Sequence, residues 1–351
     1  MKRIGNLFDR IISLDNLVAA HYAARKGKTF YREVKMVDSD PLHYAAQIQE
    51  MLKTGRYRVG DYFIMTKTVD SGKVRDIYRL DYYPHRIIHH AILRVLEPIW
   101  VAMFIKSTYC CIKGRGIHLA AKHLKRDLSR DPQNTRYCLK FDIEKFYPSV
   151  DNHIMKELLR RKIKDSRLLQ LLDIIIDSAS GLPIGNYLSQ YLANLYLNYF
   201  DHWIKEVKGV RYYYRYCDDI VILHSSKEYL HELRREITEY LHTNLKLNLK
   251  HDWQVFPVDS RGIDFLGYRF CHGYTLLRKR IAKKLLRLSA KIGKSGKARM
   301  PNVRSLMSYY GWVIHCNAYH LRRKVYNDRV FRAVKLCCLR AGIKNPLQGR
   351  R

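Results

Sequence analysis

The hydrophobic and polar positions change period several times along the 351 residues, and each change marks an element. After Tyr83-Pro84, residues Ile87, Ile88, Ala91, Ile92, Val95 and Leu96 recur at helical spacing behind a helix-opening proline. Tyr137, Leu139, Phe141 and Ile143 alternate, which predicts a strand with Lys140 and Asp142 on its other face. Asp151 is placed to cap a helix that buries Ile154, Leu158 and Ile163. Leu188, Leu192, Leu195, Tyr199 and Trp203 predict a second helix. RYYYRYCDDIVIL, from Arg211 to Leu223, is β-rich on both sides of CDD, a hairpin pattern. Ser225 and Glu228 read as a capping box for a helix burying Leu230, Leu233, Ile237 and Leu241. Ile263 to Phe270 and Tyr274 to Leu277 flank His272-Gly273 as a second hairpin. The remainder is helical and basic, broken at KIGKSGKARMP. This order predicts an α+β fold with helices on one face of an antiparallel sheet, and a domain boundary near Leu277.

One stretch departs from these patterns. Ser178 to Phe200 has no Asp, Glu, Lys, Arg or His in a chain that is 28% charged. It is long enough to cross a membrane. Its Ser, Asn and Gln residues, with Gly181, Pro183 and Gly185 near its start, argue against a lipid-facing span. Elsewhere the balance is strongly basic: 65 Lys and Arg against 32 Asp and Glu, or +33, spread along the whole chain. Such a charge repels itself in a compact state and points to a polyanionic partner, with a wide nucleic-acid track. Eight cysteines show no CxxC pair, and the first residues lack a continuous apolar run. Reduced thiols in a cytoplasmic protein are the expectation.

Acidic residues stand out against this background. Asp142 lies on a predicted strand and Asp218-Asp219 at a predicted hairpin turn. Adjacent acids repel and gain nothing by packing, so the pair calls for a cation. Antiparallel pairing of the two strands would bring Asp142 beside Asp218, an oxygen-rich site suited to two Mg²⁺. Two such ions about 3.5–4 Å apart activate a 3′-hydroxyl and stabilise leaving pyrophosphate.

FDIEKFYPSV (Phe141 to Val150), LPIGNYLSQ (Leu182 to Gln190), YCDD (Tyr216 to Asp219) and FLGY (Phe265 to Tyr268) resemble, in order, the palm motifs of reverse transcriptases. The resemblance covers Phe63 to Leu277 well. It implies a right-hand polymerase: fingers and palm over residues 1–277, the palm with an antiparallel sheet, and a basic helical thumb over 278–351. It implies that Asp142, Asp218 and Asp219 are catalytic and hold the metals together with Ile143. Tyr147 would set a ring against the sugar 2′ position and exclude ribonucleotides. Lys67 and Arg75, on either side of an SGK turn, would reach the incoming triphosphate. Phe265, Leu266 and Gly267 would grip the primer end. Deoxynucleoside triphosphates, template RNA and cDNA are the implied partners, and no RNase H, integrase or endonuclease block is expected.

Within that family, LPIGNYLSQ departs from the usual Gln before Gly and the later Ser-Pro. Ile184 and Gln190 stand there instead, which resembles the reverse transcriptases of diversity-generating retroelements. Those copy RNA with errors concentrated at template adenines, in bacteria or phage-infected bacteria, alongside a small basic barrel-forming accessory protein. A retron or group II intron type enzyme, or an inactive RNA-binding palm, is the alternative. Ile184, Gly185 and Gln190 are placed with the nucleotide-binding residues: the turn would be neutral to avoid indiscriminate phosphate binding, and Gly185 would let the backbone approach closely. The motif D acid is open between Lys250 and His251, with Trp253 near its usual place.

The helical tail carries basic residues from Arg278 to Arg299 that would track phosphates on one face. Tyr309, Tyr310 and Trp312 suit a helix core or a sugar contact. His85 and His89 have the spacing of a zinc helix but lack a following Glu and a third ligand, so structural or phosphate-contacting roles are favoured. Cys316, His320 and Cys337-Cys338 are equally weak as a metal site.

Overall fold

A computed structural model describes residues 3–68, 72, 74–344 and 346–347. Among the described residues nine strands occur: β1 (Phe63–Thr68), β2 (Val74–Arg79), β3 (Tyr137–Phe141), β4 (Tyr212–Tyr216), β5 (Asp219–His224), β6 (Gln254–Pro257), β7 (Ile263–Phe265), β8 (Tyr268–Phe270) and β9 (Thr275–Leu277). Strand and helix segregate as the α+β expectation requires. Two compact units form, each from separated stretches of chain: 1–113, 141–218 and 233–253 in the first, and 114–140, 219–232 and 254–351 in the second.

In the first unit, helix Ile87–Met103 is the central element. Ile87, Ile88, Ala91, Ile92 and Leu96 are at most 2% exposed, as their spacing predicts. It packs against helix Leu14–Ala24, and helix Pro41–Lys53 follows, capped by the Asp40 carboxylate with Pro41 in its first turn. Strands β1 and β2 pair antiparallel from Phe63↔Arg79 to Thr68↔Val74. Ser71 and Lys73 of the expected SGK turn lie outside the described residues. Asp151 accepts from the Ile154 amide and caps helix Asn152–Lys162 as expected. Met155, not Ile154, takes the buried place on that helix.

The uncharged stretch does not form one helix from Leu188 to Trp203. It breaks at Leu197 into Ser189–Tyr196 and Asn198–His202, with a further turn at Trp203–Val207. Every residue from Tyr191 to Leu197 is buried. A helix buried on all sides has no face for a charge. This is the main reason residues 191–197 lack one, a cause separate from the avoidance of indiscriminate phosphate binding expected at the turn, where Ile184 is half-buried and Gly185 exposed.

In the second unit, β3 lies between β5 and β6, pairing antiparallel with β6 from Tyr137↔Pro257 to Lys140↔Gln254. Ser226, rather than Ser225, caps helix Lys227–Leu245, accepting from the Tyr229 amide. Its expected core face is right: Leu230, Leu233, Ile237 and Leu241 are fully buried. The expected strand Ile263–Phe270 is two strands. β7 and β8 pair across Leu266-Gly267, which both have positive φ (51° and 80°) as two-residue hairpin turns require. β9 then pairs with β8 across the turn containing His272-Gly273.

The basic tail forms helices Lys279–Ser295, Met300–Val313, Tyr319–Val325 and Asp328–Arg340. The interruption falls at residues 296–299, later than the KIGKSGKARMP pattern suggested, because Gly296 (φ 62°) terminates the first helix. That helix buries only Leu285, Ser289 and Ile292 and leaves its basic face to solvent. Tyr310 is buried edge-on to Tyr326, the core use of the aromatic cluster.

Candidate active site

Asp142 follows the last residue of β3. Segment 248–250 runs alongside 142–144: Ile143 bridges Leu249 antiparallel, the Glu144 amide donates to the Asn248 carbonyl, and the Lys250 amide donates to the Asp142 carbonyl at 2.9 Å. The Lys250 ammonium, 2.5 Å from an Asp252 oxygen, is held above its ordinary pKa. Its hydrogen bond to Asp252 is the largest cause. Burial opposes it, and the charges of Asp252, Asp142 and Asp218 add to it. Asp142 and Asp218, far apart in sequence, thus act on one ammonium.

Asp218 sits between β4 and β5, after Cys217 in a left-handed conformation (φ 59°). Asp219 opens β5, and in its unit its carboxylate lies 3.6 Å from the Lys140 ammonium. The same ammonium donates to the Asp264 carbonyl of β7, and Asp264 in turn pairs with Arg278 at 2.5 Å. Among the described residues no cluster of three or more His, Cys, Asp or Glu side chains is arranged to hold a metal ion. The donors the first unit does bring together, Asp142 and Asp218, are hard carboxylate oxygens that fit Mg²⁺ rather than a thiophilic metal.

A buried ion pair lies beneath this turn, and sequence reasoning missed it. Arg215 and Asp201 are fully buried and meet at 2.5 Å. Asp201 also accepts from the Tyr213 hydroxyl (2.6 Å) and the Thr108 hydroxyl (2.9 Å). The Arg215 guanidinium donates to Asn194 and to the Cys217 carbonyl, each at 3.1 Å. Burial works against the Arg215 charge, and Asp201 outweighs it, raising the pKa overall. The available signal was a lone charge inside the β-run RYYYRY, with an acid just past the uncharged stretch.

The LPIGN turn is held by backbone approaches at two glycines. At Gly181 (φ 71°) a Cβ would come 2.6 Å from the Pro148 carbonyl oxygen and 2.7 Å from that of Tyr147. There the Leu182 amide donates to the Tyr147 carbonyl at 2.8 Å. At Gly185 (φ 125°) a Cβ would collide with the Tyr78 carbonyl oxygen of β2, and the Tyr78 amide donates to the Ile184 carbonyl at 2.7 Å. The close approach expected of Gly185 is therefore made to β2. Asn186 donates to the Tyr62 hydroxyl at 2.8 Å, and Tyr187 stacks on His90 with centroids 4.0 Å apart. Ile184 is half-buried and Gln190 exposed.

Lys67 and Arg75 are cross-strand partners on the β1–β2 hairpin, so their side chains share a face. Phe63, Met65, Lys67, Ile77 and Arg79 of that face line a cleft of about 740 Å³, together with Gly185, Asn186 and Tyr187. His89 also lines it, fully buried; burial first, then His85, His90 and Arg86, lower its pKa to about 3, so it is neutral. His85 bonds the Tyr57 hydroxyl at 3.0 Å, the structural role favoured for it. Tyr147 lies in a short helical turn, Phe146–Ser149, with its hydroxyl 3.9 Å from the Cys217 sulfur. Phe265, Leu266 and Gly267 lie in the second unit. A Cβ on Gly267 would strike the Trp312 ring, so the turn seats directly on helix Met300–Val313.

Residues 67–270 match the family model described as "Reverse transcriptase (RNA-dependent DNA polymerase)". Among curated proteins, the chain is 26% identical to Protein YkfC of Escherichia coli (strain K12), covering 56% of this chain and 61% of that one. It is 23% identical to the Group II intron-encoded protein LtrA of Lactococcus lactis subsp. cremoris, covering 63% and 49%. The chain thus spans about half to three-fifths of the length of these relatives. A structure of apo telomerase from Candida tropicalis aligns over 80% of this chain and 58% of its own, at 12% identity and a TM-score of 0.49.

The buried pair makes a direct prediction. Arg215→Met alone strands the Asp201 carboxylate and should cost about 3–5 kcal/mol of stability. Arg215→Met with Asp201→Leu should recover much of that loss. Urea unfolding of the three proteins checks this; equal stability of wild type and single variant would contradict the role of the pair.

Proposed function

The chain belongs to the reverse transcriptase family, and on that premise we propose that it is an RNA-directed DNA polymerase that extends a primer on a template RNA with deoxynucleoside triphosphates. The observation that carries this reading is geometric: segment 248–250 pairs with 142–144, so that Lys250, whose amide donates to the Asp142 carbonyl at 2.9 Å, lies within electrostatic reach of both Asp142 and Asp218. Asp142, the Ile143 carbonyl, Asp218 and Asp219 would hold two Mg²⁺. When bound, these ions lower the pKa of a primer 3′-hydroxyl and neutralise charge on pyrophosphate. Of the motif D candidates, Lys250 is the one we assign to the leaving pyrophosphate, since its ammonium stays charged beside both carboxylates. Trp253 is engaged elsewhere, beneath the Arg234 guanidinium at 4.5 Å.

Other residues take roles by position. Lys67 and Arg75 neutralise the incoming triphosphate, and the cleft beside Lys67 receives nucleotide and template. Tyr147 excludes a 2′-hydroxyl, and its backbone is fixed by Gly181 and Leu182. Phe265, Leu266 and Gly267 support the primer end from a turn seated on Trp312. Residues 1–277 are read as fingers and palm. The thumb, residues 278–351, offers a basic helix face for phosphates.

The finer assignment is a diversity-generating retroelement enzyme with low fidelity at template adenines, supported by Ile184 and Gln190 in place of the usual Gln and Pro. A small basic accessory protein belongs to that reading. The likeness to LtrA favours a second, group II intron reading.

Two measurements separate these proposals. Primer extension on an RNA template should fall about 100-fold or more in Asp218→Asn, several kcal/mol of lost transition-state stabilisation, with RNA binding kept. Absence of extension by the wild type, with RNA binding intact, would instead support an inactive RNA-binding palm. Ile184→Gln should lower misincorporation at template adenines by about 2- to 12-fold, the worth of one hydrogen bond. Identical error spectra in cDNA from the two proteins would overturn the role given to Ile184, and wild-type errors without adenine bias would favour the group II intron reading.

A further inference from the structure

Three thiols from two distant segments meet beside the catalytic turn. The Cys110 and Cys111 sulfurs are 3.2 Å apart, and Cys110 is hydrogen-bonded to Cys217, which precedes Asp218, and to Tyr216. The Cys217 sulfur lies 3.9 Å from the Tyr147 hydroxyl. The buried network fixes their backbones: Asn194 donates to the Cys110 carbonyl at 2.8 Å, and Arg215 donates to the Cys217 carbonyl while bonding the same Asn194. Cys111 is partly exposed and holds a left-handed conformation (φ 57°) that costs a non-glycine residue about 1 kcal/mol or more. A packing role needs neither that conformation nor adjacent sulfurs. The hydrogen bond from Cys110 lowers the pKa of Cys111 against the effect of burial, which favours the nucleophilic thiolate.

We propose that Cys110, Cys111 and Cys217 form a peroxide-sensitive thiol site, in which oxidation of Cys110 and Cys111 to a disulfide shuts down the adjoining polymerase centre. This rests on the polymerase reading above. The Cys111 thiolate attacks hydrogen peroxide, breaking the O–O bond to give a sulfenic acid and hydroxide. The Cys110 sulfur then attacks the Cys111 sulfur; the S–S bond forms, the S–O bond breaks, and the Cys110 proton leaves with the oxygen as water. Peroxide is reduced and the two sulfurs are oxidised. Adjacent Cα atoms stand about 3.8 Å apart, closer than the 4.4–6.8 Å of ordinary disulfides, so the bond is strained and readily reopened by a dithiol. Its formation consumes the Cys110 thiol, which contacts Cys217, and pulls on the Cys110 carbonyl. Asn194 and Arg215 couple that carbonyl to the turn carrying Asp218.

The test uses the full chain and dilute hydrogen peroxide. Free thiols should fall by two, and the tryptic peptide Ser107–Lys113 should lose two hydrogens. Primer extension should fall about 10- to 100-fold, the cost of a small displacement of reacting groups, and recover with dithiothreitol. Cys111→Ser should extend primers before and after peroxide, its folding checked by circular dichroism. Four results would overturn the proposal: no hydrogen loss in that peptide, disulfide formation with full activity, loss that dithiothreitol leaves unrepaired, or equal inhibition of Cys111→Ser. If the untreated protein fails to extend primers, the polymerase reading falls, and the peptide mass still decides whether the disulfide forms.

Discussion

Arg215 and Asp201 bury a positive and a negative charge directly beneath the YCDD turn. Desolvating two ions costs several kcal/mol each, and their attraction repays that only when the geometry is good and the remaining hydrogen bonds are made. Here Asp201 accepts from Tyr213 and Thr108, and Arg215 reaches Asn194 and the Cys217 carbonyl. An apolar pair of equal volume would stabilise the core as well. It would not hold the Cys217 carbonyl, and Cys217 sets the left-handed bend from which Asp218 departs. The ion pair is therefore best understood as fixing the position of a carboxylate rather than adding stability.

A second constraint acts through backbone rather than charge. Gly181 and Gly185 let the LPIGN turn touch the Tyr147–Pro148 backbone on one side and β2 on the other. Side chains longer than hydrogen have no room at either place. The turn joins the segment after Asp142 to the hairpin bearing Lys67 and Arg75, both within one compact unit. Lys250 ties in Asp142 from the other direction, through its own amide and through its charge. The electrostatic and steric constraints converge on residues 142–147.

Much of this was legible in the order of residues. Asp218-Asp219 stood out because acids between apolar β-runs in so basic a chain have no packing value, and the alternation expected through Ile143 placed Asp142 next to a strand, although β3 stops at Phe141 and Ile143 forms only an isolated bridge. Helix Ile87–Met103 followed from its apolar period, while the proline expected to open it lies in a separate preceding turn, Tyr82–Arg86. The errors have identifiable causes. Leu266-Gly267 lies within an apolar run, so its turn was hidden until backbone φ revealed it. Ser225 and Ser226 are equally good caps in sequence, and only the Tyr229 amide distinguishes them. The missing charges of 178–200 were assigned to substrate, whereas all-round burial of Tyr191 to Leu197 explains those at 191–197. The Arg215–Asp201 pair joins residues whose separation no local period encodes.

These constraints support the proposal that Asp142 and Asp218 serve a common set of metal ions at a polymerising end. Mn²⁺, a paramagnetic substitute for Mg²⁺, allows its most direct test, by electron paramagnetic resonance on the protein bound to primer, template RNA and deoxynucleotide. Asp142→Asn and Asp218→Asn should each abolish the same high-affinity Mn²⁺ signal. Retention of the full wild-type signal in Asp142→Asn, with nucleic acid still bound, would contradict it.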